Sequence, residues 1–239
     1  MAAFSEVVSV LTFDLYGTVV DMQKGLVAAI TPYLAAKGWT ARPPDALVTW
    51  WRRTHFENSM IDALVDRGHT PYREIGRRAL GYTLERAGIS HTDEEVRALV
   101  AEIERLKPFE DAVEALQRLS RRYRLAVLSN GDPDMLENAK PYIGFAFDEM
   151  ISVADAGYFK PHYRAYQNAA ERLGVEPGRI LHVANHAFDC IGAKAAGMRT
   201  AFVNRRHRPY GKTPHQPDLT VFSLKELADL LAGEPAKGN

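Results

Sequence analysis

The sequence predicts an α/β protein: a doubly wound, Rossmann-like parallel-sheet core with an inserted helical cap domain. Three observations predict it. Short β-branched runs ending in polar residues recur along the chain, helical stretches alternate with the later runs, and a long Ala-, Leu-, Arg- and Glu-rich stretch separates the first run from the second. Strands that alternate with helices form parallel sheets with helices on both faces.

The elements follow in order. The first strand is expected at Val8–Phe13. From about Gln23 to Leu106 the apolar spacing is helical, at Leu47, Val48 and Trp51 and again at Ile75, Leu80 and Leu84. Arg42-Pro43-Pro44 and Gly68-His69-Thr70-Pro71 punctuate this stretch as turns, and Lys107-Pro108 marks the return. The core is therefore expected at residues 1–22 and 107–239 and the cap at 23–106. Further strands are expected at Arg124–Ser129, Glu149–Val153, Ile180–Ala184 and Thr200–Val203, each bounded by Gly, Pro, Asn or Asp. Helices are expected at Pro133–Ala139, with Asp132 as N-cap and Pro133 at the first helical position, at Arg164–Leu173, and at Asp189–Ala196 before Gly197. The sequence contains no internal repeat, and only the tail after Gly233 reads as loose.

Composition narrows the function classes. The 239 residues are 46% hydrophobic and 25% charged, which is ordinary for a globular protein with a real core. Thirty basic residues balance thirty acidic ones, so no net field draws the chain to nucleic acid or an anionic membrane. Cys190 is the only cysteine, which excludes an internal disulfide and any cysteine-built metal or cluster site. No run approaches the ~20 apolar residues of a membrane span, and the N-terminus lacks a basic, then apolar, leader. A cytoplasmic protein is expected.

In an open parallel sheet, ligands bind beyond the carboxyl ends of the strands. That rule selects Asp14 after the first strand, Ser129 and Asn130 after the second, Lys160 after the third, and His186 and Asp189 after the fourth. Singly, each has an ordinary reading as a turn residue, a cap or a solvated charge. Together they bring two carboxylates, a lysine and a hydroxyl to one crevice. Cys190 reads as a small buried core residue. Arg205-Arg206-His207-Arg208 reads as a solvated turn, since no aromatic stacking platform accompanies it.

The segment Phe13-Asp14-Leu15-Tyr16-Gly17-Thr18-Val19-Val20-Asp21 resembles the first motif of the haloacid dehalogenase superfamily, and Ser129, Lys160 and Asp189 match its second, third and fourth motifs. Most members are magnesium-dependent phosphatases, in which a second Asp two residues after the nucleophile protonates the leaving alcohol. Tyr16 stands there instead, and the fourth motif offers only Asp189 where phosphatases present two acids.

Both departures resemble the L-2-haloacid dehalogenases. So do Asp-x-Tyr-Gly-Thr at Asp14 to Thr18, Ser-Asn-Gly at Ser129 to Gly131, the spacing of Lys160 and Tyr166, and the pair Trp51-Arg52 in the cap. The tandem Trp50-Trp51 and Arg52-Arg53 leave Arg52 and Arg53 as alternatives for the arginine that faces the halide.

The resemblance implies hydrolysis of a short 2-haloacid to a 2-hydroxy acid through an ester on Asp14, with inversion at C2, no cofactor and no metal. A departing halide needs no proton, which explains why the second Asp is dispensable. Thr18, Arg52, Ser129, Lys160, Tyr166, His186 and Asp189 would complete the catalytic set. Leu15, Tyr16, Trp51, Ser129, Asn130 and Phe188 would surround the substrate, with Asp189 a candidate to orient or activate water. A homodimer is also implied. In the fourth motif Ala184 and His186 replace the usual Ser and Asn, which leaves His186 open between a halide contact, a base and a loop hydrogen bond. The rival readings are a magnesium-dependent phosphatase and a non-catalytic binding protein on the same scaffold.

Overall fold

A computed structural model describes residues 7–65 and 68–233. The tail expected to be loose lies outside them. Six parallel strands form one sheet in the order β3-β2-β1-β4-β5-β6. They are β1 (Val10–Phe13), β2 (Arg124–Ser129), β3 (Glu149–Ser152), β4 (Ile180–Ala184), β5 (Arg199–Val203) and β6 (Leu219–Val221). Central β1 pairs with β2 on one side and β4 on the other, with Phe13 opposite both Val127 and Val183. The chain therefore leaves β1 in opposite directions, and the crevice at such a switch point is where an α/β sheet binds ligands.

The central strands β1, β2 and β4 are buried along almost their whole length, as a sheet covered on both faces requires. Expected strand bounds hold to within two residues; at β3 the difference is Val153, which starts a short 3-10 turn. β6 has no counterpart in the expectation. It is three residues long, follows a Pro-rich stretch, and is assembled by pairing Phe202 with Thr220 rather than by its own periodicity.

Between β1 and β2 lie α1 (Met22–Ala36), α2 (Pro44–Val65), α3 (Tyr72–Arg86), α4 (Asp93–Ala101) and the 3-10 turn Glu102–Arg105. Asp21 starts α1 by accepting from the Lys24 amide at 3.0 Å, and a Thr92–Glu95 capping box starts α4. The two chain crossings into and out of this insertion run side by side. Asp21 N donates to Lys107 O and Phe109 N to Val19 O, both at 2.9 Å.

After β2 come α6 (Pro133–Ile143), α7 (Tyr163–Leu173), α8 (Ala187–Ala195) and α9 (Leu224–Ala232), with α5 (Ala112–Leu119) preceding β2. α6 outruns its expected end at Ala139 because Leu136, Ala139 and Ile143 continue its buried stripe. Pro141 sits in the last turn and is tolerated there, and Gly144 closes the helix at φ +74°.

Asp132 occupies the N-cap position of α6 as expected, but its side chain does not cap that helix. It accepts instead from Tyr72 N at 2.7 Å and Arg73 N at 3.0 Å, the first amides of α3. The carboxylate thus satisfies orphan amides of the insertion and ties it to the sheet end. Among the described residues no helix is long and apolar enough to cross a membrane.

Candidate active site

Asp14 follows β1 directly, where the strand's last amides still pair and the side chain emerges at the switch point. Its Oδ1 accepts from Lys160 Nζ at 3.0 Å and its Oδ2 from the Thr18 hydroxyl at 2.7 Å. His186 Nδ1 stands 3.5 Å from the same Oδ2. Burial pushes the Asp14 carboxyl pKa up, but Lys160 and the His186 contact outweigh it, so the net shift is down and the group is ionised at neutral pH. Thr18 is fixed in turn by accepting from Asn185 N at 2.9 Å.

Lys160 is fully buried, and its three ammonium protons go to Asp14 Oδ1, to Asp189 Oδ2 at 2.6 Å and to Leu128 O at 2.9 Å. Burial favours the neutral amine, yet Asp14 and Asp189 together raise its pKa. Asn130 Oδ1 positions its backbone by accepting from Lys160 N at 2.9 Å.

Asp189, in the first turn of α8, is saturated. Its Oδ1 accepts from Tyr166 Oη at 2.7 Å and from His182 Nε2 at 2.9 Å, and its Oδ2 from Lys160. Burial raises its pKa, but His182 and Lys160 overturn that and hold the carboxyl well below the usual carboxylate range. Burial and Asp189 raise the Tyr166 pKa, so the phenol remains a donor. Buried Tyr166 leans on Gly192, where any Cβ would come within 2.6 Å of its hydroxyl oxygen. His182 is held from behind by Thr12 Oγ1 at 2.9 Å. Sequence reasoning missed His182 because it lies inside a buried strand, and only an inward-facing polar residue in an apolar run signals it.

Over Asp14 opens a cavity of about 410 Å³, whose lining includes Tyr16, Arg52, Asn130, Lys160, His186 and Phe188. Arg52 reaches it from α2, with Nη1 donating to Gln23 Oε1 at 2.8 Å and Nε buried without a partner. Burial, with Arg206 nearby, lowers its pKa to about 10, so it remains a cation at neutral pH. Arg53 also reaches the lining, but it is exposed and paired with Glu57 at 2.8 Å. Of the two alternatives, Arg52 has the geometry to face a leaving anion.

Phe188 packs on Phe56, centroids 4.1 Å apart, to make an apolar wall. Gly17 lets Arg52 and His186 converge: its φ is +93°, and a Cβ there would lie 3.1 Å from His186 Cε1 and 3.3 Å from Arg52 Nη2. Tyr16 stacks on Tyr72, and burial raises its pKa well above that of a free phenol.

Three of the residues expected to surround the substrate do not line the cavity. Leu15 and Ser129 are wholly buried, with Ser129 Oγ accepting from Gly131 N at 3.1 Å. Trp51 turns into the helical insertion, where Nε1 donates to Gly76 O at 3.3 Å. Two residues read as parts of a solvated turn do line it, namely Arg206 and Arg208. Their neighbour Arg205 is structural, bonding Thr18 O and Asp111.

The donor set does not fit magnesium, which needs near-octahedral oxygen ligands at ~2.1 Å. Both Asp189 oxygens already accept from protein donors, and Asp14 spends its own on Lys160 and Thr18. Among the described residues no group of three or more His, Cys, Asp or Glu side chains is placed to hold a metal.

A β3-β2-β1-β4-β5-β6 parallel sheet, with a buried Asp after β1 sharing a lysine with an Asp after β4 and a helical insertion between β1 and β2, defines a hydrolase of one superfamily. The chain belongs to the haloacid dehalogenase-like hydrolases, whose family model matches residues 8–197. Within it, the chain is 31% identical over 235 residues to an (S)-2-haloacid dehalogenase of a Pseudomonas species, strain YL, covering 95% of this chain and 97% of that one. The L-2-haloacid dehalogenase structure from Xanthobacter autotrophicus is similar with a TM-score of 0.83 at 30% identity, over 95% of this chain and 100% of that one. The same enzyme with chloropropionic acid covalently bound gives 0.82 at 29% identity, with the same coverage.

Proposed function

We propose that the chain hydrolyses short 2-haloacids to 2-hydroxy acids through a covalent ester on Asp14, without a metal. One observation carries this reading: an ionised Asp14 is held against Lys160 at the floor of a cavity whose other wall joins a guanidinium, Arg52, to an apolar ring, Phe188. That pairing suits a carboxylate attacking carbon while a halide departs. It does not suit phosphoryl transfer, because Tyr16 stands where an acid would protonate a leaving alcohol.

In the first step an Asp14 oxygen attacks C2 in line with the carbon–halogen bond. A C–O bond forms, the C–X bond breaks with its electron pair leaving on the halide, and C2 inverts. Arg52 receives the anion. Asn130 and the amides before α6 seat the substrate carboxylate. Lys160 keeps the two aspartates and the substrate carboxylate from repelling one another out of the site.

In the second step water attacks the ester carbonyl carbon of Asp14. His186 takes its proton and returns one to the departing 2-hydroxy acid oxygen. The roles of Asp189 and His186 divide on geometry. Asp189 accepts three hydrogen bonds and serves as the anchor for Lys160, whereas His186 lies at the nucleophile on the cavity side. Residues 23–106 act as the cap over this chemistry.

The reading is tested by assaying halide and phosphate release side by side, each with chelator and with added magnesium. Halide release that survives exhaustive chelation is expected. In a single turnover in heavy-oxygen water the label should enter the Asp14 carboxylate. Phosphate release restored by magnesium, or label found directly in the hydroxy acid, overturns it.

A further inference from the structure

The cavity over Asp14 is larger and more cationic than a three-carbon acid requires. Its volume of about 410 Å³ lies in the range that encloses far bigger ligands. Of the charged residues lining it, Lys160 is spent on Asp14 and Asp189, and Arg53 is paired with Glu57. Among the described residues Arg52 bonds only neutral Gln23. Arg206 and Arg208, from the turn after β5, make no side-chain hydrogen bond or ion pair among the described residues.

These two arginines are oriented by the turn itself. Asn204 accepts from Arg208 N at 2.8 Å and donates to Arg208 O at 2.9 Å, while Arg205 is bolted to Thr18 O and Asp111. The loop is thus anchored on both sides of Arg206. A second cavity, of about 360 Å³, adjoins the first and shares Arg52, Arg206 and Arg208 with it. Asp21 and Asp45 line that second cavity, and Asp21 offsets part of the charge of Arg52 and Arg206 without a hydrogen bond to either. Guanidinium groups gathered in excess of the carboxylates around them, with none bonded to Arg206 or Arg208 among the described residues, repel one another and focus the field of a cleft on an incoming anion. A monocarboxylate offers one carboxylate to Asn130 and one halogen to Arg52, and leaves this pair unanswered.

We propose that Arg206 and Arg208 form a subsite for a second carboxylate, so that the substrate class is 2-halodicarboxylic acids rather than simple 2-haloalkanoates. The inference rests on the dehalogenase reading above and deepens it. The planar fork of arginine is suited to a carboxylate, which it binds through two parallel hydrogen bonds.

The test compares kcat/KM for (S)-2-chlorosuccinate and (S)-2-chloroglutarate with that for (S)-2-chloropropionate, in the wild type and in R206Q, R208Q and the double variant. The wild type should prefer at least one dicarboxylate. In the double variant the dicarboxylate-to-monocarboxylate ratio should fall at least tenfold, about 1.4 kcal/mol, with the loss carried by KM. A wild type that prefers chloropropionate to both dicarboxylates overturns the subsite, as does a ratio that the variants leave unmoved. Equal slowing of all substrates with altered inhibition by added chloride assigns the arginines to halide release and also overturns it. Calorimetry with succinate and propionate separates the two readings: if no substrate releases chloride, the dehalogenase reading fails. A preference for succinate that is lost in the double variant still upholds the subsite.

Discussion

Two oxygens of one carboxylate set the chemistry at the residue scale. Lys160 takes one, Thr18 takes the other, and His186 stands beside the second. His186→Ala should therefore leave the first step running and stall the second. A rapid burst of one halide per active site is expected, the ester should be found on Asp14 by mass spectrometry, and steady-state turnover should fall ~10²–10⁴-fold. The ester has already lost its halogen, so the variant's steady-state turnover should be the same for fluoro-, chloro- and bromoacetate. A loss without a burst, or one confined to fluoroacetate, would instead place His186 at the leaving group. Gly17→Ala is the second residue-scale prediction. A side chain at φ +93° costs ~1–2 kcal/mol, and its Cβ would crowd His186 Cε1 and Arg52 Nη2 together. Both stability and kcat/KM should drop, the latter at least tenfold, as read by urea unfolding and halide release. Asp14, Lys160 and Asp189 were legible because each directly or shortly follows a strand; Arg206 and Arg208 were not, since only the fold brings a turn after β5 over the end of β1.

At the scale of elements, the links between the insertion and the sheet decide how well Arg52 is aimed at Asp14. Asp132 is the clearest of these links. It sits at the end of the Ser-Asn-Gly turn and caps α3 across sixty residues of chain through Tyr72 N and Arg73 N. Asp132→Ala should destabilise the protein by ~1–3 kcal/mol through two unsatisfied amides, measured as a shift in the urea midpoint with little change in slope. Asp132→Asn, which keeps an acceptor oxygen, should recover part of it. A midpoint that does not move would mean that water replaces the carboxylate. The carboxylate's real partner was beyond local sequence reasoning, because Asp132-Pro133 is also a good helix start in its own right. For the same reason α6 ran past Ala139. Proline signals a stop, but Leu136, Ala139 and Ile143 have tertiary partners that outweigh it. β6 shows the converse, since Leu219–Val221 is too short to carry a period and exists as a strand only through β5.

For the whole molecule, acid should act through the insertion before it acts through the catalytic carboxylates. His55 on α2 is fully buried; its Nε2–H donates to Tyr72 O at 3.1 Å, its ring stacks on Tyr72 4.0 Å away, and its Nδ1 has no partner among the described residues. Burial lowers its pKa to about 4, against ~6.5 for a free imidazole in the unfolded chain. Between these values the unfolded chain binds more protons than the folded one, so stability falls as pH drops from ~6.5 towards 4. The depressed carboxyls of Asp14 and Asp189 work in a lower window, since their contribution is intact above an unfolded pKa of ~3.9 and lost only as pH falls through their folded values. The interval from 6.5 to 4 thus belongs to histidine. His69, lowered by burial as well, adds to the slope in the same sense but is unchanged by mutation at position 55. Unfolding free energies of wild type and His55→Gln, measured in urea at pH 7 and pH 4.5, should therefore differ in their pH dependence by ~2–3 kcal/mol, the wild type losing more. Equal losses in the two proteins would mean that His55 is already protonated in the fold, or that the insertion opens to let it charge.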